Sequence, residues 1–153
     1  MKKYFQFLMI IPLLFLSCNE DDNYQNFLEH YNNSVWEIEI GDDFFVYIKF
    51  NNNDFDPLNY WLYNNDNNCY VYYSFSVEQE MNIVIIENTK DTLIFKSKLS
   101  NDEYYSIWTF SESDGGILNK VENFENGISK GAENYILNRS SFKPQNVQIC
   151  SDN

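Results

Sequence analysis

Hydrolytic chemistry needs a matched acid and base, a nucleophile with its base, or a metal, and few residues of this chain suit any of these. His30 is the single histidine. It falls in a short segment ahead of the strand-forming body, where neither a Ser-His-Asp nor a Cys-His set can be assembled, so it reads as a surface or packing residue. Alternation puts Glu37 with Glu39, and Glu78 with Glu80, on one strand face each, but a solvated face of an acidic chain has the same pattern as a glycosidase pair. Asn52-x-Asp54-x-Asp56 and Asn64-x-Asp66-x-Asn68 begin like calcium loops. Pro57 and Cys69 then stand where the sharp-turn glycine belongs, and Tyr63 and Phe75 where the bidentate glutamate belongs, so plain Asn/Asp turns are expected. Cys69 and Cys150 have neither a nearby histidine nor CxxC spacing, which speaks against a metal site. No catalytic residue, metal or cofactor is expected.

Binding chemistry is better represented. Between Phe55 and Phe75 lie Tyr60, Trp61, Tyr63, Tyr70, Tyr72 and Tyr73. Alternation sends Tyr70 and Tyr72 to one face and Val71, Tyr73 and Phe75 to the other, so both faces of this hairpin carry rings. One face must be core. The other either pairs its rings across strands or presents them to a glycan, lipid or protein, since Tyr and Trp join a large apolar area to a polar handle. Tyr60, Trp61, Tyr63, Tyr70 and Tyr72 are the candidate ligand-binding residues. Ile83-Val84-Ile85-Ile86 and Trp108 read as barrel core.

The clearest signal in the chain is an address. Lys2 and Lys3 precede an apolar stretch from Phe5 to Leu16, about a dozen residues against the roughly 20 that span a bilayer. Ser17-Cys18 at its end resembles a bacterial lipobox, with Phe15 at the usual leucine position. That resemblance implies cleavage after residue 17 and acylation of Cys18, each buried methylene being worth about 0.8 kcal/mol to the anchor. Asn19-Glu20-Asp21-Asp22 resembles the acidic export signal of bacteroidete-type lipoproteins, which implies an outer-membrane protein facing outside the cell; a solvated tether has the same composition. If Cys18 carries lipid, Cys69 and Cys150 remain as an even pair in an oxidising compartment. A disulfide between them would clip the last residues onto the strand that starts at Cys69, and two free thiols are the alternative. Asp91-Thr92-Leu93 matches a short O-glycosylation motif of bacteroidete-type secreted proteins, and equally a turn-to-strand start.

Loss of residues 1–17 removes two lysines and no acid, taking the net charge from −13 to −15. The remaining basic residues are scattered singly, so nucleic acid is not an expected partner. The membrane, through the acyl chains, is one, and a small molecule or a protein is another. Aromatic residues at 18% exclude disorder despite the abundant asparagine.

Three segments follow: a signal peptide (1–17), an acylated acidic tether (18–23) and one domain (24–150). Asp22 can cap a short helix whose apolar face is Tyr24, Phe27, Leu28 and Tyr31. Strand periodicity then covers 35–40, 44–50, 58–63, 69–76, 81–87, 92–99 and 104–110, with Asn/Asp/Gly-rich turns between. Past Gly116, a helical face of Ile117, Leu118, Val121 and Phe124 competes with a returning strand; the Asp114-Gly115-Gly116 turn favours the strand, and a last one is expected over 132–139. Strands at this spacing without long helices predict an all-β antiparallel meander of about 8–9 strands, closing into a small barrel behind one short N-terminal helix.

Phe27-Leu28-Glu29-His30-Tyr31-Asn32-Asn33-Ser34-Val35-Trp36 resembles the opening of small lipocalin-like surface lipoproteins of the bacteroidete type, where a short helix precedes a first strand carrying a tryptophan. Tyr135-Ile-Leu-Asn-Arg-Ser-Ser followed by Cys150 extends the likeness to the tail. Lipocalins have Gly-x-Trp where this chain has Ser34-Val35-Trp36. The resemblance implies a lipocalin-like barrel acting as a non-catalytic binding or accessory module for a small hydrophobic or sugar-like ligand or an envelope protein. A carboxylate-based hydrolase acting on glycans or lipids, and a purely structural or inhibitory protein with a filled interior, are the alternatives. An interior volume of roughly 300 Å3 separates the filled barrel from the binding module.

Overall fold

The computed structural model describes residues 24–41, 44–74, 81–99 and 103–150. The signal segment, Cys18, the acidic tether, Asp22, Phe75 and the Glu78/Glu80 pair lie outside them. The chain forms one short helix, α1 (Phe27–His30), and nine strands: β1 (Val35–Glu39), β2 (Phe45–Phe50), β3 (Leu58–Asn64), β4 (Cys69–Ser74), β5 (Met81–Asn88), β6 (Thr92–Leu99), β7 (Tyr104–Ser113), β8 (Gly116–Glu125) and β9 (Ile128–Arg139).

All nine belong to one antiparallel sheet in the order β4-β3-β2-β1-β9-β8-β7-β6-β5. Each strand pairs with its successor except β4 with β5, and β1 pairs with β9 through Trp36↔Arg139 and Glu37↔Asn138. This is the neighbour scheme of a closed meander barrel with one rung missing. The expected meander is present, and hydrogen bonds do not close it: β4 and β5 remain edges.

The roll is completed by side chains. Phe50 of β2 meets Phe110 of β7 edge to face, ring centroids 5.2 Å apart, and Phe27 of α1 meets Phe50 at 5.3 Å. These rings, together with Leu28, Leu93, Ile117 and Leu137, are fully buried in one cluster drawn from both halves of the sheet. Such burial is the main stabilising term, since each large apolar side chain contributes roughly 1.5–3 kcal/mol when removed from water.

α1 is capped by Asn26 and not by Asp22. The Asn26 Oδ1 accepts the Glu29 N–H at 2.9 Å, which starts the helix four residues later than Asp22 would. The helix docks on the β5–β6 turn, where the Phe27 N–H donates to the Thr89 carbonyl (2.6 Å) and the Leu28 N–H to Asn88 Oδ1 (3.2 Å). It thereby stoppers one end of the roll. Trp36 lies beside it, its Nε1–H donating to Ser34 Oγ at 2.8 Å while Ser34 donates to the Tyr31 carbonyl. Ser34 thus ties the tryptophan to the helix end.

Residues 117–125 are strand, as the turn chemistry favoured. The last strand begins at Ile128, earlier than residue 132, because Asn126 (φ 51°) and Gly127 (φ 77°) both take the left-handed conformation and make a two-residue hairpin turn. Gly116 is required by close approach, since a Cβ there would lie 2.4 Å from the Leu137 carbonyl oxygen across the β8–β9 ladder. The run from Ile83 to Ile86 is not wholly core. Ile83 and Ile85 face inward, whereas Val84 and Ile86 stay 51% and 56% exposed, because β5 alternates like any one-sided edge strand.

At the stoppered end the Tyr31 hydroxyl donates to Glu112 Oε1 at 2.5 Å. Burial first, then this bond and the Glu112 charge, raise the Tyr31 pKa far above its ordinary 10.0. A phenol favoured in its neutral form by folding lends stability in full below its unfolded pKa, and that stability is lost as pH climbs toward the folded value. Urea melts are therefore expected to show stability falling from about pH 10 upward, and Tyr31→Phe to flatten that fall.

Candidate functional site

Strand alternation divides the side chains of the sheet into an inner and an outer set. The inner set leaves a cavity of about 360 Å3 at the end opposite α1. Its walls are apolar and aromatic, with Ile38, Ile48, Leu58, Tyr60 and Trp108 prominent, and its polar groups are Asn119, Asn123, Glu133 and Tyr135. β8 supplies Asn119, Val121 and Asn123 at alternate positions, and β9 supplies Tyr135 and Glu133 opposite the first two.

Asn119 is the deepest polar group. The residue is 1% exposed, and its Oδ1 has no hydrogen-bond partner among the described residues. A buried carbonyl left unpaired costs about 1–3 kcal/mol. Nearer the rim, the Tyr135 hydroxyl donates to the Glu133 carboxylate in a short hydrogen bond, and this contact, with burial second, raises the Tyr135 pKa. Asn123 Oδ1 accepts from the Ser106 hydroxyl at 2.6 Å, and the Trp108 Nε1–H is held by Ser97 Oγ at 2.9 Å. Among the described lining residues, Glu133 carries the one formal charge.

The five candidate aromatic residues are separated by the pleat. Tyr60 faces inward, stacks on Tyr73 at 4.7 Å and lines the cavity. Trp61, Tyr63, Tyr70 and Tyr72 face outward, where Trp61 pairs with Tyr72 (5.2 Å) and Tyr63 with Tyr70 (5.0 Å). The chain beyond β9 crosses this outer face. Phe142 stacks on Tyr47 at 4.0 Å and touches Trp61 and Tyr70, leaving Trp61 only 6% exposed while Tyr72 stays 40% exposed. An open groove of about 680 Å3 flanks the crossing, bordered by Lys49, Trp61, Tyr72 and Lys143. Burial is the first cause of the raised Tyr47 and Tyr70 pKa values.

The crossing segment ends on the free edge of β4. The Tyr70 N–H donates to the Gln148 carbonyl (2.8 Å) and the Cys150 N–H to the Tyr70 carbonyl (2.9 Å), making a parallel bridge. Cys69 and Cys150 are joined by a disulfide with Cα atoms 5.1 Å apart. The terminal residues are thus clipped to β4 at its first position.

His30 is sandwiched between Tyr24 (4.8 Å) and Tyr31 (4.4 Å), with Glu112 Oε1 3.6 Å from its Nδ1, so it takes part in the ring stack at the stoppered end. Glu37 accepts from Ser140 Oγ (2.7 Å) on the outer face of β1, and Glu39 is exposed on the same face. Asp56 Oδ2 accepts from Asn59 and Ser74, and Asn51 bonds Asn59 and the Asp56 carbonyl, which locks the β2–β3 loop. The Asn64 side chain accepts the Asn67 N–H at 3.2 Å in the next turn. Both stretches are Asn/Asp turns bonded to their own backbone. Among the described residues no group of three His, Cys, Asp or Glu side chains gathers as metal ligands would. Thr92 opens β6 directly before fully buried Leu93.

Sequence reasoning missed Asn119, Glu133 and Tyr135. Ile117-x-Asn119-x-Val121 carried the available signal: an amide set between apolar residues on an inward-facing register. No protein-family model, no curated protein and no solved structure matches this chain.

Proposed function

We propose that this protein is a non-catalytic binding module, anchored in the outer membrane by acyl chains on Cys18 and facing outside the cell, that carries a small and mostly apolar ligand inside its barrel-like sheet. The observation that carries the reading is the interior cavity of about 360 Å3. It lies in the range of about 300–1000 Å3 occupied by small-molecule sites and combines apolar walls with a few convergent polar groups. Tyr60, one of the candidate aromatic residues, belongs to its wall. Membership of the lipocalin-like lipoproteins is part of the same proposal, supported by the meander, the helical stopper and the position of Trp36.

The uncharged probe N-phenyl-1-naphthylamine tests the cavity. The soluble chain of residues 19–153, which contains every described residue, is expected to enhance its fluorescence saturably with one site per chain. Ile48→Trp, which fills the wall, should abolish the enhancement while the chain still unfolds cooperatively in urea. Absence of a saturable signal from the unsubstituted chain would remove the ligand-carrier reading. Intact mass of the membrane-extracted protein tests the anchor, and an unmodified Cys18 would refute it.

A further inference from the structure

The polar groups of the cavity restrict what can enter it. Its deepest one is an acceptor, the Asn119 Oδ1, nine-tenths buried and more, without a partner among the described residues. Among the described residues its one formal charge is the Glu133 carboxylate, and no Lys, Arg or His of that set lines the space. The Tyr135 hydroxyl points its proton at that carboxylate and orients it on the rim, and the Asn123 Oδ1 is already occupied by Ser106. Tyr60, Trp108 and Tyr135 add aromatic rings to the wall. A carboxylate or phosphate entering here would meet Glu133 with no cation to balance it. A donor-bearing nitrogen would meet acceptors.

We infer that the cavity takes an amphipathic amine, its apolar body against Ile38, Ile48 and Trp108 and its N–H groups directed to Asn119 Oδ1 and the Glu133 carboxylate. This rests on the ligand-carrier reading and names the ligand class for the same site. The amine remains protonated at neutral pH, as an alkylammonium with a pKa near that of lysine does, so its hydrogen bonds are charge-assisted.

The test is displacement of N-phenyl-1-naphthylamine from the chain of residues 19–153 by n-octylamine, 1-octanol and octanoate, which share one chain length. Octylamine is expected to displace the probe at a concentration at least about tenfold below that of either competitor, the ratio that one charge-assisted hydrogen bond supplies. Asn119→Leu and Glu133→Gln should each shrink the ratio several-fold, the ratio being taken within each variant against that variant's own probe affinity. The second substitution sits at the exposed rim and spares the core. Equal displacement by the three compounds, or a preference for octanoate, would overturn the amine inference and leave the ligand carrier standing. An amine preference undiminished in both variants would also overturn it, marking attraction to the acidic surface alone. Failure of the probe itself to bind the unsubstituted chain would remove both readings.

Discussion

Replacing Cys69 and Cys150 together by alanine is expected to lower unfolding stability by about 4.5 kcal/mol, the chain-entropy value for a loop closed over a separation of 81 residues. In the unfolded chain the bridge ties position 69 to position 150 and removes conformations; without it that entropy returns to the denatured ensemble. The loss should appear as a lower urea midpoint and be reproduced by reductant on the unsubstituted chain. A second readout separates this entropic effect from a collapse of the fold. Release of the terminal segment uncovers Trp61, buried at 6% exposure beneath Phe142, so tryptophan emission should move to the red while the interior cavity, on the opposite face of the sheet, keeps its probe. Loss of probe binding in the oxidised protein's reduced form would show that the clip supports the cavity as well.

Phe50→Ala is expected to cost about 3–5 kcal/mol, the range for truncating a fully buried phenylalanine. Phe50 is fully buried, and its ring touches Phe27 of the helix, Phe110 of β7 and Tyr31. It therefore serves two seams at once, the stopper and the contact between the halves of the sheet that hydrogen bonds leave open. Against a total of about 5–15 kcal/mol for a domain, that is roughly a fifth of the stability or more. Urea unfolding measures it, and a loss below about 1 kcal/mol would show that the neighbours collapse into the space and that the ring contact is not what joins the halves. Phe55, an exposed phenylalanine of the β2–β3 loop, supplies the contrast: its alanine variant should stay within about 0.5 kcal/mol of the parent.

Much of the architecture was legible because it depends on local patterns. Strands over 92–99 and from 104 onward follow from alternation bounded by turn residues, and the structure places β6 and β7 there. The helix face of Phe27, Leu28 and Tyr31 was legible for the same reason; its true cap, Asn26, competes with Asp22 four residues earlier and is settled by where the chain meets Thr89. The Cys69–Cys150 bridge was legible by counting, as the even pair left once Cys18 is set aside. What could not be read was tertiary. Nothing local says that β4 and β5 fail to pair, that the tail crosses the outer rings, or that Phe142 selects Tyr47 as its partner. The cavity is the clearest case. Asn119 has an ordinary strand context, and its isolation emerges only when Tyr60, Trp108 and Tyr135 surround it from three other strands. Asn126-Gly127 is a different kind of miss, a hairpin signal present in the sequence that would have moved the start of β9 to Ile128.

The stopper formed by α1 also fixes a direction. Cys18 stands six positions before Tyr24, a span of no more than about 20 Å when fully extended. An acylated Cys18 would therefore keep the helix end of the protein near the bilayer, while the cavity, lined on β8 from Asn119 to Asn123, would lie roughly 10–25 Å farther along the strand. Ligand would then exchange with the surrounding medium and not with the lipid beneath, and a protein so anchored would stand as an outward-facing cup.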